Sequence, residues 1–519
     1  MTSMILSRIT GFLRSTLITN LMLKSDSDAL FAAFKTTDIM YNLLVGGSIA
    51  AALIPVLSGY IARNEEEEGW RVVGSFINSI FLIMLLISSL GIIFAPQVVN
   101  LTAPGYDEDV YEVTITLTKI LFPSVSFIML AGLTNGVLNS YQRFAAAAYG
   151  PTIYNLGTVF SIFALYRYGV DKVALGIMVS ALIYFLFQLT FAYRHIAGNY
   201  SFKIYYKHSG YKRIIKLAIP SLLASSITQL NTVISQSYTS NFKQGSVTAL
   251  NNANDIWQLP HGIFAMGMGM ALLPTFSEKH ALGERETFKT ILNKSIKTVL
   301  FLTIPSGVGF IVLREPIISA IYKWSANLGT ERIAETGKIL MFYTLALFSQ
   351  SILAIVNRAF YACNDTKTPL YSGILSIGTN VLFCYIFYRF TNLEASGMAL
   401  AYSIACTVNA LILLYILNRK LKGIHLKELI NFIVKIIVSS FLMGVILFFV
   451  IKNVPIDFSR TFTIENKIQE LWYLMLIITI GVVAYLIITI VLKVEEARYF
   501  IALIKSKFIK SEIRSDLTK

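Results

Sequence analysis

Residues 71–94 read RVVGSFINSIFLIMLLISSLGIIF, with one charge, Arg71, at the start. About 20 mostly apolar residues carry a helix across the hydrocarbon core of a bilayer, so this stretch is read as a membrane-spanning helix. Outward from it, segments of the same kind lie between turn signals at 3–22, 33–61, 113–139, 147–167, 173–193, 214–239, 246–273, 290–313, 335–360, 369–389, 395–417, 429–451 and 469–492. The predicted fold class is therefore an all-α polytopic membrane protein of about 14 transmembrane helices. Connections are short and leave no room for a sizeable soluble domain. The longest are at 195–213, 314–334 and 452–468.

Composition agrees. The chain of 519 residues is 55% hydrophobic and 14% charged, with a mean hydropathy of +0.64. A soluble domain carries about 25% charged residues, so this chain cannot cover a water-facing surface. Lys and Arg number 44 against 29 acidic residues, a net charge of +15. With the N-terminus inside, about 24 basic residues fall in inner connections and the tail and about 11 on the other side, as the positive-inside rule requires. The surplus thus sets orientation, both termini are expected in the cytoplasm, and no nucleic acid is implied. Arg8 and Arg14 interrupt the first apolar segment, which reads as a retained helix and not a cleaved signal. The tail around Phe500–Lys507 is suited either to anionic lipid or to solvent. Cys363, Cys384 and Cys406 show no CxxC spacing, so no disulfide framework and no metal site is expected.

An internal repeat organises the helices. Ala52-Leu53-Ile54-Pro55 returns as Ala271-Leu272-Leu273-Pro274, Glu65 and Glu67 as Glu284 and Glu286, and Lys119-Ile120-Leu121 as Lys338-Ile339-Leu340, all at an offset of 219. Each copy holds six helices, an even number, so both enter the membrane in the same sense. This predicts lobes at 1–205 and 206–425 about an axis along the membrane normal, with a cavity between them. Helices thirteen and fourteen, within 426–492, stand outside the repeat, and 493–519 is a basic tail.

Charges within spanning helices are costly and usually face a bundle interior or a water-filled cavity. The first helix carries Arg8 and Arg14, about 120° apart around its axis, so both can border one groove. Arg8 is near enough to the inner interface to snorkel; Arg14 is too central. The second carries Asp28, Lys35 and Asp38, the last two spaced to neutralise each other. In the second half, Gln229, Asn231, Ser235 and Gln236 precede a stripe of Asn251, Asp255, Gln258 and His261, whose spacings of four, three and three put them on one helix face. Asp255 is the one acid of that stripe, a candidate for protonation or cation binding. The candidate substrate-binding residues are Arg8, Arg14, Asp28, Lys35, Asn251, Asp255 and Gln258. A guanidinium matches phosphate oxygens in a bidentate fork, which points to an anionic head group. No nucleotide-binding motif is present and no cofactor is expected, which leaves ion gradients, membrane potential or substrate supply as the drive.

Ser7-Arg8-Ile9-Thr10-Gly11-Phe12-Leu13-Arg14 resembles the SR-x-x-G-x-x-R opening of the MurJ/MviN family of lipid II flippases. Asp28-Ala29-Leu30-Phe31-Ala32-Ala33-Phe34-Lys35 and Gly47-Ser48-Ile49-Ala50-Ala51-Ala52-Leu53-Ile54-Pro55 resemble two further stretches of that family. Thr102-Ala103-Pro104-Gly105-Tyr106, Asn139-Ser140-Tyr141-Gln142-Arg143-Phe144 and Leu259-Pro260-His261-Gly262 follow in family order. The resemblance implies a multidrug/oligosaccharidyl-lipid/polysaccharide exporter fold working by alternating access. Its cargo would be a lipid-linked, undecaprenyl-pyrophosphate type peptidoglycan precursor carried across the cytoplasmic membrane, with the isoprenoid tail on helices thirteen and fourteen. Pyrophosphate binding carries over to Arg8, Arg14 and Lys35. The chain departs from the family at Tyr41, where many members have Arg, at Gly46, where they have an acid, and at Asp255, where they have Arg or Lys. Three alternatives follow: another lipid-linked oligosaccharide as cargo, a cation-coupled drug antiporter, and a membrane glycosyltransferase using Asp107-Glu108-Asp109. The repeat and the two arginines favour transport of an anion over the last two.

Overall fold

Hydrocarbon offers no water to backbone N–H and C=O groups, so a chain this apolar must satisfy them within its own helices. A computed structural model describes residues 2–44, 53–324, 329–363, 365–454 and 463–498, and the regular structure among them is helical. In chain order the helices are α1 (Thr2–Leu21), α2 (Lys24–Leu44), α3 (Ile54–Ala62), α4 (Glu66–Ile93), α5 (Ala95–Thr102), α6 (Glu108–Ser140), α7 (Phe144–Leu165), α8 (Val170–Ile196), α9 (Ser209–Thr239), α10 (Ser246–Pro260), α11 (Gly267–Ala281), α12 (Arg285–Val312), α13 (Arg314–Tyr322), α14 (Thr330–Ala362), α15 (Lys367–Phe390), α16 (Ala395–Lys420), α17 (Leu426–Asn453) and α18 (Ile464–Val491). Among the described residues, 10 helical segments are long and apolar enough to cross a membrane. Outside that set are α1, α2, α7 and α9, helices of 20, 21, 22 and 31 residues at four further positions expected to span.

Two local differences have physical causes. The helix expected from residue 33 starts at Lys24, because the polar turn that reads as a loop is stabilised by partners distant in sequence, described below. Residues 45–52, with Gly46 and most of the 47–55 stretch, lie outside the described residues, as do the tail positions 500–507. The helix expected over 246–273 is broken by a π-helical turn, His261–Met266, directly after Pro260, whose missing N–H already interrupts the ladder. Short helices α5 and α13 occupy stretches read as connections. The offset of 219 carries Glu66–Ile93 onto Arg285–Val312 and the first residue of α5 onto the first of α13, so the repeat extends to helix boundaries.

The described chain forms two compact units, residues 1–252 with 388–398, and 253–387 with 399–519. In the first, Trp70, Phe76, Val125, Met129 and Leu133 form one buried cluster, and Ile18, Leu30, Phe34, Leu117, Leu121 and Ile177 another. Lipid tails are as apolar as leucine, so helix contacts depend on close packing and hydrogen bonds more than on hydrophobicity. The α7–α8 contact shows this: a Cβ on Gly157 would come within 2.8 Å of Ser180, and one on Gly176 within 2.6 Å of Ser161. In the second unit the Tyr485 hydroxyl of α18 donates to the Phe301 carbonyl of α12 at 2.7 Å. Lys467, at the start of α18, is buried beside Glu470 at 3.2 Å.

Asp365, in the turn before α15, accepts from the Thr368 N–H at 3.0 Å and from Lys420 Nζ at 2.7 Å. Burial pushes its carboxyl up, but the bonds from Lys420 and Thr368 outweigh this and hold it below the usual carboxylate range. A lowered folded pKa contributes stability that is present above the unfolded pKa and lost as pH falls through the folded one. Thermal unfolding of the wild type and of Asp365→Asn should therefore differ by about 1 kcal/mol at neutral pH and converge below the ordinary carboxylate pKa. A constant difference down to acid pH would contradict this account.

Candidate functional site

Arg14 lies two-thirds of the way along α1 and is half-buried. Its guanidinium carbon sits 5.2 Å from the centre of the Phe34 ring on α2, a cation–π contact that holds the plane of the fork. Nη1 reaches Oδ1 of Asn155 on α7 at 3.4 Å, a long bond. Asn155 is placed in turn by α1, because its Nδ2 donates to the Ser7 carbonyl at 3.2 Å. Nε of Arg14 is buried with no hydrogen-bond partner among the described residues. Five N–H donors radiate from a guanidinium, and an unsatisfied buried one costs about 1–3 kcal/mol. The arrangement is that of an oriented, half-buried cation that forms no ion pair among the described residues.

The other sequence candidates fall in distinct settings. Arg8 is exposed on α1, and Lys35 is half-buried one position beyond the ring under Arg14. The side chains of Asp38 and Tyr41 lie outside the described residues. Asp28 is 2% exposed, and both its oxygens are engaged. Oδ2 accepts from the Gly245 N–H at 2.6 Å and Oδ1 from the Thr248 N–H at 2.8 Å, with the Thr248 hydroxyl also donating. These amides are the orphan donors at the start of α10, so Asp28 caps that helix from across the unit. The neighbouring loop completes the joint: the Tyr106 hydroxyl donates to the Asp28 carbonyl at 3.1 Å and the Gly105 N–H to Ser240 Oγ at 3.1 Å. A Cβ on Gly105 would lie 2.3 Å from Asn241 Cα, so only glycine allows this approach. Asn252 Nδ2 donates to Thr19 Oγ1 at 3.0 Å, tying α10 to α1 as well.

The stripe on α10 is half-buried throughout Asn251, Asp255 and Gln258. Asn251 Nδ2 donates to its own helix, at the Val247 carbonyl, 2.8 Å away. Asp255 and Gln258 belong to the second unit, where Asp255 is within electrostatic reach of the buried Tyr322. Trp257, on the opposite face, stacks on Tyr343 at 6.0 Å. Sequence reasoning did not single out Asn155. The available signal was a lone amide inside an apolar helix, which tends to be spent on a helix–helix bond.

A family model described as lipid II flippase MurJ matches residues 20–469. The chain belongs to that family. Among solved structures it is similar to a lipid II flippase MurJ in an inward closed conformation, with a TM-score of 0.79 and 26% identity over 95% of this chain and 98% of that one. A probable lipid II flippase MurJ of Buchnera aphidicola subsp. Acyrthosiphon pisum is 27% identical over 90% of this chain and 92% of its own length. One from Rhizobium tropici is 29% identical over 84% and 83%. A multidrug resistance MATE transporter of the MOP superfamily in an inward-facing conformation shares the fold at a TM-score of 0.68, with 16% identity over 80% of this chain and 95% of that one. MurJ membership makes this chain a multi-pass membrane transporter with a lipid-linked substrate.

Proposed function

We propose that this chain moves lipid II from the inner to the outer leaflet of the cytoplasmic membrane by alternating access, supplying cell wall synthesis. The observation that carries this reading is Arg14: a half-buried guanidinium oriented by Phe34 and Asn155 and without an ion pair among the described residues, in a chain of the MurJ family. Arg8, Arg14 and Lys35 would hold the pyrophosphate, and Asn251, Asp255 and Gln258 would meet polar parts of the head group. Asp28 would serve by holding α10 in place. Helices α17 and α18 would take the isoprenoid tail, and the termini would be cytoplasmic. No bond is made or broken; the drive is an ion gradient, the membrane potential or substrate supply. The two lobes of the repeat, 1–205 and 206–425, would alternate about the cargo.

Asp255, an acid where the family resemblance leads to a base, supports a second reading in which the cargo is another lipid-linked oligosaccharide. Depletion of the protein in its native cell, followed by measurement of lipid II in each leaflet, tests the first. Lipid II should accumulate on the inner side. Unchanged sidedness in a cell without a functional paralogue would overturn the cargo assignment.

A further inference from the structure

The connection between α8 and α9 lies outside the candidate site described above. Residues 201–205 run along the first turns of α4, whose polar side chains bond two of their carbonyls and one N–H. Asn78 Nδ2 donates to the Ser201 carbonyl at 2.8 Å and to the Lys203 carbonyl at 3.3 Å, and the Tyr205 N–H donates to Ser75 Oγ at 2.9 Å. Tyr200 bonds Asn78 Oδ1, and Tyr211 bonds Ser79 at 2.8 Å. His208 Nε2 meets Glu68 at 2.6 Å while Nδ1 accepts from the Gly210 N–H, closing the start of α9.

Asn78 lies 12 residues after the first residue of α4, about 18 Å along a helix rising 1.5 Å per residue. The connection is therefore pinned at the level where α4 enters the apolar part of its span. What it turns outward is aromatic and basic. Phe202 is 85% exposed and Tyr206 64%, and Lys203, Lys207, Lys212 and Arg213 are exposed around them.

The nearby acids are already engaged. Glu65 pairs with Arg63 at 2.9 Å, Glu67 with Arg71 at 2.8 Å, Glu68 with Arg71 and His208, and Glu66 with Tyr141. Among the described residues, Lys203, Lys207, Lys212 and Arg213 form no ion pair. Aromatic rings favour the head-group layer, and basic residues beside a membrane are attracted to anionic lipid.

We propose that residues 200–213, the end of the connection together with the first turn of α9, form a preformed docking surface for the anionic lipid surface of the leaflet they face, the cytoplasmic one in the orientation given above. Phe202 and Tyr206 insert at the interface, and the four cations collect acidic head groups. The backbone bonds to Ser75 and Asn78 are made in advance, so binding orders only side chains.

The test uses the full chain in phosphatidylcholine nanodiscs with spin-labelled phosphatidylglycerol or phosphatidylcholine, reading the immobilised fraction of each lipid. Nanodiscs expose both leaflets, so the orientation of the chain does not enter. Wild type should prefer phosphatidylglycerol, and K203Q/K207Q/K212Q/R213Q, all at exposed positions, should reduce that preference by at least about threefold. F202S/Y206S, with every charge kept, should lower it by about twofold. Retention of the full preference by either variant, or by the wild type in 0.5 M salt, where exposed charges are screened, would overturn the proposal. Displacement of the lipid by millimolar inorganic phosphate would also overturn it, because it would mark a discrete anion pocket instead of a surface.

Discussion

Arg14→Ala is expected to lower lipid II transport by about 100-fold in a reconstituted leaflet assay, with little loss of folded protein. A pyrophosphate taken from water into a membrane interior loses its hydration, and charge-assisted bonds from a planar fork are among the few replacements available. Each hydrogen bond to a charged group contributes about 1.5–3 kcal/mol, so losing one or two accounts for the factor. Arg14 makes one long bond in the structure, to Asn155 at 3.4 Å, and leaves Nε buried and unpartnered. Truncation therefore removes an unsatisfied donor as well as a charge, and the melting temperature should hold. Arg14→Lys keeps the charge but not the fork and should retain about a tenth of the activity. Full transport by Arg14→Ala, at wild-type expression, would remove the cation from the mechanism. Asn155 acts by positioning Arg14.

Asp28→Ala should show the opposite profile, a loss of stability of about 3 kcal/mol. The carboxylate is 2% exposed and receives the N–H groups of Gly245 and Thr248 together with the Thr248 hydroxyl. Removing it strands the two backbone N–H groups where water has little access, while the Thr248 hydroxyl can still donate to Ser27 Oγ at 3.0 Å, and each buried orphan costs about 1–3 kcal/mol. Asp28→Asn should recover about half of the loss, because its amide oxygen still accepts while its NH2 opposes a second donor. Thermal unfolding in detergent gives the magnitude. Hydrogen exchange gives the location, since the amides of Gly245 and Thr248 should lose protection before those of α4. An unchanged midpoint together with unchanged protection would show that the cap does not carry this joint.

These two residues mark the boundary between what could be read along the chain and what could not. Both arginines of α1 stand out in the sequence because charge in an apolar helix is rare, and that rarity is a local property. Asp28 stands out for the same reason and reads from sequence as a substrate ligand, whereas its hydrogen bonds are those of a cap for a helix 217 residues away. Asn155 is separated from Arg14 by 141 residues, and no periodicity in either helix announces that contact. The α10 stripe was legible as a helix face. Its interruption at His261–Met266 was not, because a proline ending one helical run and a proline inside a continuous one look alike in sequence.

The membrane class, most of the long helices, the repeat and the family resemblance are legible along the chain, because each depends on composition, period or spacing. Hydrocarbon leaves the backbone only helices or closed barrels, and uninterrupted apolar runs of about 20 residues select the helix, so local apolarity is enough to place most of the elements. What the polar residues do emerges only from contacts in three dimensions: which guanidinium nitrogen has no partner, which carboxylate caps a helix, and which connection is bonded to α4 with its aromatic and basic side chains outward. Those outcomes depend on hydrogen bonds between segments far apart in the chain, and in a medium without water it is the partner, not the residue type, that sets the role of a polar group.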